Sequence, residues 1–455
     1  MENKIKIHFL GAAGTVTGSK YLIETHDKNI LVDCGLFQGL KELRLLNWKS
    51  LPFNVASIDM VLLTHGHLDH VGYMPRLVSE GFSGDIWGTE PTLEIAKIIL
   101  EDSARIQEED AERANAEGFS KHRPAKPLYD TADVEKTLPF FHPQPLDKWI
   151  EIDKEIFCRF RYNGHILGAT FIELKIGTKI IVFSGDIGRE KDLLLFPPQK
   201  PEKADILFIE STYGDRLQPD NAEERLAEII NNAIEKQGTI IIPSFAVERA
   251  QTLMYLLWKL RKKGAIPNLP VYMDSPMGSN VLAIFEHNPT WHKLPMEECR
   301  EMLKDIKQIQ TIQETYKLAA SEKPKIIIAA SGMASGGRVL TYFVQYLGKS
   351  STTILLVGYQ AEGTRGRALL DGAKEVKLFG KFFPVNAIVE NLEGLSAHTD
   401  QKGLIEWVSL LKQKPGHVFI VHGEPKSADA LRIKFKDVYG WDCEIPSLNE
   451  IVEIS

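Results

Sequence analysis

The sequence predicts an α/β protein in which one folding unit interrupts another, and three observations carry that expectation. Short apolar runs that read as strands end repeatedly in Asp or His: Ile30-Leu31-Val32 before Asp33, Ile181-Val182-Phe183 before Ser184-Gly185-Asp186, and Val418-Phe419-Ile420-Val421 before His422. After Glu210 the pattern changes, and apolar runs such as 239–243, 271–273, 325–330 and 354–357 alternate with helical stretches at 247–263 and 339–347. Such alternation implies a parallel, Rossmann-like sheet. From about 385 short strands return with His398 and His422 among them, so the simplest topology closes the first unit across the insertion.

Taken in order, Ile5-Lys6-Ile7-His8-Phe9 alternates as a half-buried strand and runs into the small-residue turn Gly11-Ala12-Ala13-Gly14. Residues 19–24 and 29–33 continue as strands. Ile58 to Leu63 reads as a buried strand, and 91–118, rich in Ala, Glu, Ile and Arg, as a helix broken by the Gly and Pro residues from Gly118 to Pro127. A last strand is expected within 444–454. The expected domains are 1–209, an insertion at 210–390, and 391–455.

A chain of 455 residues with 44% hydrophobic content can bury a substantial core. It contains no run of about 18 apolar residues, and the start Met1-Glu2-Asn3-Lys4 leads into a strand, so a soluble, cytoplasmic protein with no membrane partner is expected. Cys34, Cys158, Cys299 and Cys443 are scattered without a Cys-x-x-Cys pair and read as reduced. A net charge of −7 means that any polyanion site must be local. Two basic groups are candidates: Arg105, Arg113, Lys121, Arg123 and Lys126, and Arg249, Arg338, Arg365 and Arg367.

The densest chemistry lies in Thr64-His65-Gly66-His67-Leu68-Asp69-His70, directly after a strand. Three imidazoles and a carboxylate exceed the three protein ligands of a typical single catalytic zinc, so a second metal is expected. Neither a helix face nor a strand face can present His-x-His-x-Asp-His as one packed surface. Asp33, His165 in Gly164-His165-Ile166-Leu167-Gly168, Asp186 and His422 complete the set.

In this order the motifs resemble the metallo-β-lactamase fold, an αββα sandwich, and the inserted α/β domain looks like a β-CASP domain. The whole chain resembles the β-CASP family of metallo-β-lactamase-fold ribonucleases, in particular its cleavage-and-polyadenylation endonuclease-like branch. The resemblance rests on Glu210 in Phe208-Ile209-Glu210-Ser211-Thr212-Tyr213-Gly214, on His398 in Leu395-Ser396-Ala397-His398-Thr399-Asp400, and on His422 in Val421-His422-Gly423-Glu424-Pro425. The insert motifs Pro243 to Gln251, Ser331 to Arg338 and Gly358 to Thr364 add to it. Within the family a final His points to RNA.

The resemblance implies two zinc ions, with manganese as an alternative. His65, His67 and His165 would hold one, Asp69, His70 and His422 the other, and Asp186 would bridge them, with Asp33 steering a ligand histidine from behind. Two metals of this kind activate a hydroxide and clamp a phosphate. His398 would be the general acid, oriented by Glu210, and Asp69 would additionally take a proton from the attacking water. Ser331, Gly332 and Arg338, with Ser244, Arg249 and Arg365, would grip the substrate in a cleft, and Phe245 and Tyr359 could stack on bases.

The expected activity is endonucleolytic hydrolysis of single-stranded RNA, without a dinucleotide cofactor and with room for a homodimer. A 5′-to-3′ exoribonuclease, a di-zinc hydrolase of a small ester or thioester, and a non-catalytic RNA scaffold are the alternatives. The first turns on the products formed, the second on the insert and on Glu210 with His398, and the third on whether the ligand positions are filled.

Overall fold

The computed structural model describes residues 4–118, 122–245 and 247–454; Lys121 of the first basic group lies outside them. The chain divides into two compact units, Met1–Leu217 with His398–Ser455, and Gln218–Ala397.

In chain order the first unit supplies β1 (Ile5–Phe9), β2 (Tyr21–Glu24), β3 (Asn29–Val32), β4 (Met60–Leu62), β5 (Asp85–Gly88), β6 (Phe141–Pro143), β7 (Ile150–Asp153), β8 (Ile156–Tyr162), β9 (Thr170–Ile176), β10 (Lys179–Phe183) and β11 (Ile206–Glu210). The second adds β12 (Ile240–Pro243), β13 (Val271–Asp274), β14 (Lys307–Gln308), β15 (Ile326–Ala329), β16 (Thr353–Val357), β17 (Glu375–Leu378), β18 (Lys381–Pro384) and β19 (Ile388–Leu392). The returning chain contributes β20 (His417–Val421) and β21 (Ile451–Ile454) to the first unit.

Two sheets build the first unit, ordered β21-β1-β2-β3-β4-β5-β6 and β20-β11-β10-β9-β8-β7. Alternation along β1 and β8 turns Ile5, Ile7, Phe9, Ile156, Cys158 and Phe160 inward, and these meet Phe183, Phe208 and Phe419 in one core between the sheets. The Phe183 and Phe208 rings stack at 4.5 Å, and Phe9 meets Phe419 edge-on at 4.9 Å. A second core packs the other face of the first sheet under helices Met74–Ser79, Glu90–Glu117 and Thr131–Thr137, with Leu31, Val61 and Ile86 meeting Leu77, Leu100 and Val134. A third packs the other face of the second sheet under helices Gln401–Trp407 and Pro425–Tyr439, with Ile209 and Ile420 meeting Leu404 and Leu431. This is the αββα sandwich.

The break between units falls at 217/218 and 397/398 rather than at 209/210 and 390/391. Hydrogen bonding is the reason. β11, which ends in Glu210, pairs in parallel with β10 and β20 of the first unit, and β19 runs on to Leu392 along β16 of the second.

The second unit holds a parallel sheet ordered β14-β13-β15-β12-β16-β19 and the antiparallel hairpin β17-β18. Its central strands, Ile240 to Pro243 and Ile326 to Ala329, are buried throughout, as strands covered on both faces are. At the end of β13 the fully buried Asp274 carboxylate accepts from Arg338 Nη1 (2.6 Å), Thr315 Oγ1 (2.7 Å) and Tyr342 Oη. Arg338 also donates to the carbonyl of Gln310 at 2.7 Å. This lock ties β13, the helix Ile312–Ala320 and the helix Val339–Tyr346 together. Removing one member of a buried charge pair strands the other, so Asp274→Ala is expected to destabilise the protein by about 3–5 kcal/mol. A urea unfolding midpoint unchanged by the substitution would contradict this.

Candidate metal centre

The ligand-type side chains of the first unit converge because their strands end together. β3 delivers Asp33, β4 delivers the loop from Thr64 to His67 and the short helix Leu68–Val71, β10 delivers Asp186, β11 delivers Glu210 and β20 delivers His422. Two of these strand ends carry left-handed backbone at non-glycine residues, Asp33 (φ 59°) and His422 (φ 48°). Such conformations cost free energy at any residue with a Cβ and are found where structure over-determines them.

Three imidazole nitrogens, from His65, His67 and His165, lie with a carboxylate oxygen of Asp186 within 4.8 Å of one another. Asp69, His70 and His422 form a second such group, and Asp186, Glu210 and His422 a third. The Asp186 carboxylate stands between the first two. Its Oδ2 is 3.4 Å from His65 Nε2 and 3.5 Å from His165 Nε2, while Oδ1 is 3.4 Å from His70 Nε2 and 3.5 Å from His422 Nδ1. Ring nitrogens also meet each other closely: His65 Nε2 to His67 Nδ1 at 3.1 Å, His165 Nε2 to His67 Nδ1 at 3.2 Å, and His70 Nε2 to His422 Nε2 at 3.1 Å.

Burial keeps most of these rings neutral, which is the form that binds metal. It pushes His65 down to about 3 and His67 to about 4, and holds His165 well below the ordinary imidazole value. His70 differs, because Asp186 and Asp33 outweigh its burial and raise it. For Asp69, burial is outweighed by His422 and His70, which hold the carboxyl below the usual range. Nitrogen and oxygen donors of this kind suit zinc or a similar divalent ion. Asp186 Oδ1 is buried and accepts no hydrogen bond, which also fits a cation among these groups.

The surrounding residues fix the donors. Asp33 Oδ2 lies 2.7 Å from His70 Nδ1, which leaves Nε2 facing Asp186 and His422. Asp33 also accepts from the Thr64 backbone N–H at 2.8 Å and from its hydroxyl at 2.9 Å. Asn163, wholly buried, donates through Nδ2 to the carbonyls of Ser184 and Asp186, both at 2.6 Å, and so pins the turn that carries Asp186. Sequence reasoning missed Asn163; its one signal was its place two residues before His165.

His398 stands at the edge of the cluster, with its side chain 17% exposed. Its Nδ1 is 3.0 Å from Glu210 Oε2, its Nε2 is 3.9 Å from Asp186 Oδ2, and its ring centroid is 4.5 Å from that of His165. Glu210 is buried and also accepts from the Ile187 N–H at 2.6 Å. Burial alone would disfavour the imidazolium, but the charges of Glu210 and Asp186 prevail and raise the His398 pKa.

The candidates for gripping a substrate lie in the second unit, and several have protein partners. Arg338 is the counter-ion of Asp274, a fully buried carboxylate that requires such a charge. Arg365 donates to the carbonyls of Lys377 and Ser335, each at 2.8 Å. Ser331 Oγ accepts from the N–H groups of Ser335 (3.1 Å) and Gly336 (3.3 Å), closing its own turn, and Ser244 Oγ donates to the Phe245 carbonyl at 3.0 Å. The ring of Phe245 lies over Gly332, where a Cβ would come within 2.5 Å of it, so the ring fills a packing space that glycine leaves open. Arg249 is buried beside Gly358. In the first basic group, Arg105 is tied to Asp102 and Glu109 of its own helix, while Arg113, Arg123 and Lys126 are exposed.

An αββα sandwich with imidazoles and carboxylates gathered at its strand ends defines a metal-dependent hydrolase. Family models agree: residues 13–236 match the metallo-beta-lactamase superfamily, 250–369 the Beta-Casp domain, and 383–446 the Zn-dependent metallo-hydrolase RNA specificity domain. Ribonuclease TTHA0252 of Thermus thermophilus is 33% identical over 92% of this chain and 94% of its own length. Transcription termination factor FttA of Methanosarcina mazei is 32% identical over 93% of this chain and 67% of its own, and Integrator complex subunit 11 of Danio rerio 27% over 99% and 74%. The chain belongs to the β-CASP family of metallo-β-lactamase-fold ribonucleases. A solved protein of unknown function from Enterococcus faecalis V583 shares the fold, with a TM-score of 0.53 at 14% identity over 99% of this chain and all of that one.

A cation that binds only the folded cluster must stabilise it, by about 2.7 kcal/mol at a hundredfold excess over its Kd. EDTA is therefore expected to lower the melting temperature of the wild type and to leave that of Asp186→Ala unmoved. An equal EDTA effect on both would show that the metal binds elsewhere.

Proposed function

We propose that this protein is a zinc-dependent ribonuclease that cleaves single-stranded RNA internally. The observation that carries this reading is His398, an imidazole beside the metal-ligand set with one nitrogen held by a buried carboxylate and the other facing the cluster. The RNA specificity domain match and the ribonuclease from Thermus thermophilus support RNA as the substrate.

Two zinc ions would be held by His65, His67 and His165, and by Asp69, His70 and His422, with Asp186 common to both. Bound there, they supply Lewis acidity to a phosphate and acidify a water. The chain's own groups do the rest. His398 donates a proton to the leaving ribose oxygen, the step in phosphodiester hydrolysis that most needs an acid. Glu210 holds the ring by Nδ1, so that Nε2 carries the proton toward the reacting bond. Asp69, with Oδ2 3.4 Å from His422 Nε2, would hold the second ion and take a proton from the attacking water. Asp33 and Thr64 fix His70 in the tautomer that presents Nε2.

Zinc content should be measured together with cleavage of a 5′-labelled single-stranded RNA, with single-stranded DNA and an EDTA control alongside. Internal fragments that vanish with EDTA are the expected result. Release of mononucleotides alone would indicate an exonuclease, and zinc without cleavage would favour a hydrolase of small esters or a requirement for a partner. His398→Ala is expected to lower kcat by about 10²–10⁴ with metal content unchanged, whereas Asp186→Ala should lose both. The raised pKa of His398 means that its acid form persists above the ordinary imidazole range and is lost as pH rises through the shifted value. Glu210→Gln removes the largest raising influence, so the alkaline limb of the kcat profile should move to lower pH; a limb that stays in place would exclude His398 as the group that titrates.

A further inference from the structure

The hairpin β17-β18 presents exposed aromatic rings and lysines. Its inner face is well used: Val376 and Leu378 are buried, and Phe383 packs with them against the core of the second unit. Cross-strand register then puts Lys377 opposite Phe382 and Glu375 opposite Pro384 on the other face, all four exposed. Phe382 is 62% exposed, and the Lys377 ammonium lies 5.8 Å from its ring centroid.

The turn adds a second, independent observation. Phe379 and Gly380 both have positive φ, 47° and 79°, the backbone of a two-residue hairpin turn that favours Asn-Gly. A phenylalanine there is conformationally unfavourable, and it stands 47% exposed. Charge points the same way. Lys374, Lys377 and Lys381 face one acid, Glu375, between 374 and 384, in a chain whose net charge is −7. Arg365 anchors the hairpin by donating to the Lys377 carbonyl at 2.8 Å and to Ser335 of the neighbouring loop.

Exposed aromatic rings interleaved with lysines on a fixed support are what unpaired nucleotides need: a π-face for each base and a cation for each phosphate. We propose that this hairpin is a stacking platform for single-stranded RNA, with Phe379 and Phe382 contacting bases and Lys377 contacting a phosphate. The proposal rests on the reading of the substrate as RNA.

The test is titration of a fluorescein-labelled oligouridylate, and of duplex RNA of equal length, against the full chain carrying His398→Ala to stop turnover. Phe382→Ala and Phe379→Asn should each weaken single-strand binding by about five- to thirtyfold. Phe379→Asn should do so with an equal or higher melting temperature, since Asn suits the turn. Lys377→Gln should reduce the slope of log affinity against log salt by about 0.7. Binding by both aromatic variants as tight as the parent's, an equal loss for duplex RNA, or a change in oligomeric state with RNA affinity intact would each overturn the proposal. If wild-type protein cleaves RNA while the variants bind normally, the hairpin assignment alone falls; if the parent binds no RNA, both readings fall.

Discussion

Burying carboxylates is the constraint on which the rest of this structure depends. Asp33, Asp186 and Glu210 each lie under the surface at the end of a strand, where an isolated carboxylate is strongly disfavoured. Each is met in a different way. Asp33 takes His70 and both polar groups of Thr64, and Glu210 takes His398 and the Ile187 N–H. Asp186 faces imidazoles on both of its oxygens, and burial keeps two of those rings, His65 and His165, neutral. That combination leaves a demand for positive charge which a divalent ion meets, and the metal chemistry follows from it.

The sheet order explains how such groups assemble from distant parts of the chain. β10, β11 and β20 run in parallel side by side, so their carboxyl ends place Asp186, Glu210 and His422 along one edge. His70 and His422 meet at 3.1 Å although 352 positions separate them. The aromatic core supports this edge directly. Phe208 and Glu210 share a face of β11, so the strand that packs its ring against Phe183 between the sheets also fixes the carboxylate that holds His398.

The second unit follows the same rule with another outcome. Asp274 is as deeply buried as the metal-site carboxylates, but its partners are an arginine, a threonine and a tyrosine, so its charge is satisfied by the protein itself. The consequence is rigidity rather than reactivity. Arg338 and Arg365 serve as struts between loops.

The sequence by itself determined the fold class and the metal cluster, because ligand histidines crowd into Thr64 to His70 and because strand ends with a single Asp or His stand out against apolar runs. The long helix was legible too, since helical pattern and its Gly118 stop are local. What only the tertiary structure decided was partnership. That Arg338 pairs with Asp274, that Asn163 clamps the Asp186 turn, and that β20 returns to lie beside β11 depend on contacts across tens to hundreds of residues. Local spacing records which chemical groups a strand end carries; it does not record which buried charge lies opposite, and in a low-dielectric interior that neighbour decides whether a group reacts or merely holds.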